Sequence, residues 1–193
     1  MSRVPLQDPA TATGRVKEVF DRVAKHYGMV PTLQQALAPL PETTDALWTL
    51  SLTTVREGSL PEELKRAFFA VTAAAGECDY CVAAHMLALY RAFRWTNAEC
   101  VEIIEGKPSS RFSEKENVAL DFARTVARRP AAVTDEQVER LRQLGWTDAE
   151  IVEMVTTVAL LKFTSTVATA LDVPFEQVML PMLEQPPFVK AEG

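Results

Sequence analysis

The sequence predicts an all-α protein, in two related helical halves that form one compact unit. Three observations carry this. Apolar residues recur at helical spacing along almost the whole chain. Capping-box signatures open several of those stretches, as in Thr96-x-x-Glu99, Ser113-x-x-Glu116 and Thr147-x-x-Glu150. The one β-like run, Thr164-Ser165-Thr166-Val167, lies inside a long helical pattern.

The elements follow in order. Val16, Val19, Phe20, Val23, Ala24 and Tyr27 define a first helix over 12–27, stopped by Gly28. Pro31 and Pro39 break up the next stretch, and a helix is expected from about Glu42 to Glu57. Ser59-Leu60-Pro61-Glu62 reads as a cap opening an Ala-rich helix through Ala75. Gly76 interrupts it, and a further helix is expected from there to Phe93. Trp95-Thr96-Asn97-Ala98-Glu99-Cys100-Val101-Glu102-Ile103-Ile104 then recurs as Trp146-Thr147-Asp148-Ala149-Glu150-Ile151-Val152-Glu153-Met154-Val155, an internal repeat of a turn and a capped helix. Between the copies, Ser113 opens a helix ending at Arg128-Arg129-Pro130, and Thr134 opens another. The two arginines suit the negative end of a helix dipole. Residues 148–171 are the longest apolar stretch, a core or interface helix closed by Asp172-Val173-Pro174. The expected divisions are an N-terminal helical segment (1–58), a core (59–174) and a C-terminal tail or arm (175–193).

A net charge of −6 with no basic run argues against a nucleic-acid surface. No uninterrupted apolar run of about 18 residues occurs, and the N-terminus lacks an apolar signal core, so no membrane span and a cytoplasmic location are expected. In that compartment thiols stay reduced unless oxidised for a purpose.

The chemistry concentrates in Gly76-Glu77-Cys78-Asp79-Tyr80-Cys81-Val82-Ala83-Ala84-His85. It holds two of the three cysteines and one of the two histidines. On a regular helix Cys78, Cys81 and His85 fall within an arc of about 60°. Two thiols and a base on one face suit reversible dithiol–disulfide chemistry. Competing readings are a zinc site, for which a fourth ligand is missing, buried cysteines acting as small hydrophobes, and a lactone-decarboxylating site with His85 as the base. Cys100 reads as core, because the repeat sets it opposite Ile151, and His26 as a capping or surface residue. Tyr80 lies well round the helix from Cys78 and is not expected on the thiol face.

Leu60-Pro61 opening a helix, then Gly-x-Cys-Asp-Tyr-Cys-x-x-Ala-His, then a Thr-x-x-Glu helix, resembles the alkyl hydroperoxidase D and carboxymuconolactone decarboxylase superfamily. Asp148–Pro174 is similar to the C-terminal part of its peroxidase-related members. The resemblance implies thiol-based reduction of a small hydroperoxide without metal or cofactor. It also implies a homo-oligomer, trimer or hexamer, and a dithiol protein as reductant. In that scheme His85 activates Cys81, which attacks the peroxide and is resolved by Cys78. A similar Cys-x-Tyr-x-x-x-x-His pattern in the sestrins makes the first cysteine reactive, with Cys78, Tyr80 and His85 as the working set. The order of attack is open at this point, and a non-catalytic redox sensor remains an alternative. One departure stands out. The glutamate that completes the family's proton relay is Arg66 here. Glu62 or Glu63 would then replace the acid, or Arg66 would stabilise a thiolate directly.

Overall fold

A computed structural model describes residues 2–188. Among these residues the chain forms nine α-helices, three 3-10 turns and no strand. The N-terminal segment carries α1 (Gly14–Tyr27), α2 (Thr32–Leu37) and α3 (Pro41–Arg56). Then come α4 (Glu62–Ala75), α5 (Asp79–Phe93) and α6 (Asn97–Ile104), followed by α7 (Glu114–Arg128), α8 (Asp135–Gln143) and α9 (Asp148–Leu171). The short α2 occupies the stretch that the prolines were expected to break. Pro31 stands at its N-cap, where a missing N–H costs nothing.

Local chemistry explains most boundaries. Thr96, Ser113, Thr134 and Thr147 each form a reciprocal capping box with the third helical residue. The β-branched run 164–167 is accommodated inside α9, where the hydroxyls of Thr164 and Thr166 bond back to the carbonyls of Leu161 and Lys162. Ser59 departs from expectation and does not cap α4. The backbone N–H groups of Ser59 and Leu60 are drawn instead to the Glu153 carboxylate, and Pro61 is the N-cap.

The centre of the molecule is α4, whose Leu64, Ala67, Phe68, Ala70, Val71 and Ala73 are buried against α5, α7 and α9. By length and composition α9 could cross a membrane, yet Ile151, Met154, Val158, Leu161 and Ala168 bury one side of it in this core. The repeat is visible in three dimensions. Trp95 and Trp146 are both buried, each with a cation over its ring, Arg111 at 5.2 Å and Lys115 at 3.8 Å. Each indole N–H also donates a hydrogen bond, to Glu63 Oε1 at 2.6 Å and to the Lys115 carbonyl at 3.2 Å.

One hydrophobic cluster runs from Leu33 and Leu47 of the N-terminal segment, through α4 to α9, to Met179 and Met182. The segment after Pro174 therefore packs back on the core. Its 3-10 turn, Gln177–Met182, buries both methionines. Residues 189–193 of the expected tail lie outside the described residues. This return of the chain brings Glu176 against α5.

Candidate functional site

The turn between α4 and α5 decides the placement of the thiols. Gly76 caps α4, and Glu77 takes a left-handed conformation at φ 51°. Cys78 is then the N-cap of α5 rather than a residue on its side. Its Sγ accepts the backbone N–H of Cys81 at 3.3 Å. Cys78 thus adjoins Cys81 from the end of the helix rather than from its side. The chain turns at Glu77, so only Cys81 and His85 project from the helix side, and both line a cavity of about 390 Å³. Cys78 is not part of the cavity wall.

The two thiols are both 2% exposed and electrostatically unlike. The Cys81 thiol donates to Cys78, the Thr169 hydroxyl and the Cys81 N–H add further donors, and together they pull the Cys78 thiol down to about 7 against the effect of burial. The same hydrogen bond to Cys78 pushes the Cys81 thiol far up, with burial and the negative charges of Cys78 and Glu176 acting in the same direction. Cys100 is buried in α6, and burial lifts its thiol to about 12. It has no part in the cavity.

His85 packs against Phe69, with ring centroids 4.9 Å apart. Burial, with Arg66 adding its positive charge, lowers the imidazole to about 3. The ring is therefore neutral at physiological pH. Among the described residues it hydrogen-bonds no protein group, and it lines the cavity. His26 stands at the rim, Nδ1 at 3.1 Å from Arg56 Nη2 and its ring edge-on to Tyr27 and Trp48.

The polar groups around this centre are arranged differently from the sequence reading. Arg66 lines the cavity and holds Glu62 at 3.0 Å. Glu63 points elsewhere, bonded to the Trp95 indole and paired with Arg111 at 3.3 Å, so it does not reach the thiols as a relay acid. Neighbours on a helix face different sides, and only Glu62 shares the side of Arg66. Tyr80 was not expected on the thiol face, yet it lines the cavity beside Cys81. Its hydroxyl donates to Glu176 Oε1 at 2.8 Å. Glu176 itself escaped the sequence reading. Its one signal is a carboxylate set in the mostly apolar run between Val173 and Leu180. Phe69, Leu33, Leu160 and Met179 complete a largely apolar wall.

Comparison with solved structures gives the fold. The structure superposes on the alkylhydroperoxidase AhpD core of a peroxidase-related protein from Ralstonia eutropha JMP134 with a TM-score of 0.79 and 22% identity, over 92% of this chain and 94% of that one. The chain has the AhpD-like fold. The AhpD-like fold is also shared with the debrominase Bmp8, solved as a cysteine-to-alanine variant with 2,3,4-tribromopyrrole; the TM-score is 0.77 at 20% identity, over 95% of this chain and 98% of that one. In sequence, an alkyl hydroperoxide reductase of Mycobacterium tuberculosis is 31% identical over 93 residues. That match spans 48% of this chain and 27% of the relative. No family model matches the sequence.

Proposed function

We propose that the protein reduces organic hydroperoxides through Cys81 and Cys78, with a dithiol protein as the electron donor. The observation that carries this reading is the division of labour between the thiols. Cys81 faces an apolar cavity, and Cys78, the more acidic thiol, lies directly behind it with its sulfur on the Cys81 N–H.

In this reading Cys81 loses its proton and attacks the terminal oxygen of the hydroperoxide. An S–O bond forms, the O–O bond breaks, and the departing alkoxide takes up the Cys81 proton through His85 and leaves as the alcohol. Cys81 is then a sulfenic acid. The Cys78 thiolate attacks its sulfur, an S–S bond forms, and hydroxide departs and is protonated to water. An external dithiol reduces the bridge by exchange, becoming a disulfide itself. A reducing compartment such as the cytoplasm suits this cycle. So does assembly into a trimer or hexamer, for which exposed Val152 and Phe163 on α9 offer apolar surface.

The test is peroxide-dependent oxidation of a dithiol reductant. Cys81→Ser is expected to abolish it, and unchanged turnover in that variant would sink the proposal. A second reading is two-electron removal of halogen from an aromatic ring. The debrominase of the same fold and the apolar wall of the cavity support it. Release of bromide from a brominated pyrrole by the reduced protein, without peroxide turnover, would favour that reading.

A further inference from the structure

Among the described residues, two buried acceptor oxygens on the cavity wall lack a partner, Gln34 Oε1 and Glu176 Oε2, and only Glu176 carries a charge. Glu176 is 5% exposed and lines the cavity with Cys81 and Tyr80. Its Oε1 accepts the Tyr80 hydroxyl at 2.8 Å and the Thr32 N–H at 2.9 Å. The Thr32 hydroxyl lies 3.1 Å away and is shared with the Pro174 carbonyl at 2.7 Å. Oε2 is buried, and among the described residues it has no hydrogen-bond partner. Leaving a buried carboxylate oxygen unbonded is costly, and native folds rarely do it without a purpose.

The neighbouring cations do not supply the missing bond. Arg66 is committed to Glu62, Arg56 bonds His26, and Arg91, the third arginine of the lining, makes no bond to Glu176. The surrounding wall is mostly hydrocarbon, from Leu33, Leu160 and Met179. An occupant must therefore bring an apolar body to the wall and a hydrogen-bond donor to Glu176.

From these contacts we infer that the cavity selects apolar molecules bearing an N–H or O–H donor, and that Glu176 Oε2 receives this donor and orients the molecule toward Cys81. The inference rests on reading the cavity as the substrate site of Cys81. A hydroperoxide satisfies it through its own O–H. Glu176 is in this sense a specificity-determining residue, held in place by Tyr80 and Thr32.

Calorimetric titration of the reduced protein with indole and N-methylindole tests it, because the two probes differ by one donor and neither is a peroxide. Wild type is expected to bind indole roughly ten- to a hundredfold more tightly. In Glu176→Gln the amide carbonyl can keep the Tyr80 and Thr32 bonds, and the amide N–H₂ then meets the cavity, so the preference is expected to vanish. Equal affinities in wild type, which a buried water on Oε2 also predicts, would overturn the inference. So would no binding of either probe, or a preference that survives in Glu176→Gln. The wild-type ratio needs no variant and stands if Glu176→Gln does not fold. Peroxide turnover of the wild type, run in parallel, separates the two ideas. An indole preference without turnover overturns the peroxidase reading alone, and turnover without a preference overturns the donor inference alone.

Discussion

The Cys81 thiol donates to the Cys78 sulfur, which also accepts the Cys81 backbone N–H at 3.3 Å, so in the resting protein the thiol outside the cavity is the acidic one and the thiol inside it carries the proton. The expected consequence is a thiolate that forms near pH 7 in the reduced protein, because the Cys78 thiol is pulled down to about 7. Ultraviolet thiolate absorbance should rise through that range as pH increases. Cys78→Ser should remove the transition. Cys81→Ala, which deletes the main donor, should move it upward. A wild-type transition confined to the ordinary thiol range near pH 8.5 contradicts the assignment.

His85 is predicted to be neutral in the resting protein, because burial and then Arg66 hold it at about 3. The pH profile of kcat/KM should therefore lack a limb at the ordinary histidine value of 6.5. Arg66→Gln removes one of the two causes and should raise the imidazole value, which ring proton chemical shifts would report. His85→Ala is expected to lower kcat roughly a hundredfold or more, the usual worth of a positioned proton carrier. An unchanged imidazole titration in Arg66→Gln speaks against the coupling.

How much of this was legible in the sequence depends on the range of the interactions. Capping boxes at Thr96, Ser113 and Thr147 are local, and they form as read. The Trp95 and Trp146 repeat is local too, and both indoles end in the same setting. The two thiols adjoin as read, with one change of placement. A left-handed Glu77 is not a feature that spacing reveals, and it moves Cys78 from the side of α5 to its end. Glu176 was hidden for a different reason. Its role arises from the return of the C-terminal segment to α5 and Thr32, a contact set by burial of Met179 and Met182 rather than by any motif. Glu63 was misplaced because its partners, Trp95 and Arg111, come from later elements.

The cavity should also discriminate by size. Ala84 lines it on α5, one residue before His85. Ala84→Leu fills part of the roughly 390 Å³. The variant is expected to lose roughly tenfold or more in kcat/KM for a bulky hydroperoxide, with a smaller loss for hydrogen peroxide, since a few methylenes in an apolar pocket carry that much discrimination. Steady-state kinetics with cumene hydroperoxide and hydrogen peroxide measure it. Equal losses for both substrates would place the bulky substrate outside this cavity.

A buried ion pair holds the loop that joins the N-terminal segment to α4. Lys65 is 1% exposed, and its Nζ meets Glu153 at 2.5 Å and the Glu57 carbonyl. Glu153 in turn accepts the N–H groups of Ser59 and Leu60. Gly58 lies between them at φ 92°, where an added Cβ would come within 2.3 Å of Glu153 Oε1. Removing either partner of this buried pair is not equivalent. Glu153→Ala leaves a buried ammonium with one carbonyl and should cost about 3–5 kcal/mol. Lys65→Met leaves a carboxylate that still holds two backbone donors and should cost clearly less. Gly58→Ala combines a left-handed backbone with a collision and should cost more than about 1 kcal/mol. Urea denaturation of the three variants ranks them, and a Lys65→Met loss as large as that of Glu153→Ala would show that the lysine, not the carboxylate, holds the loop.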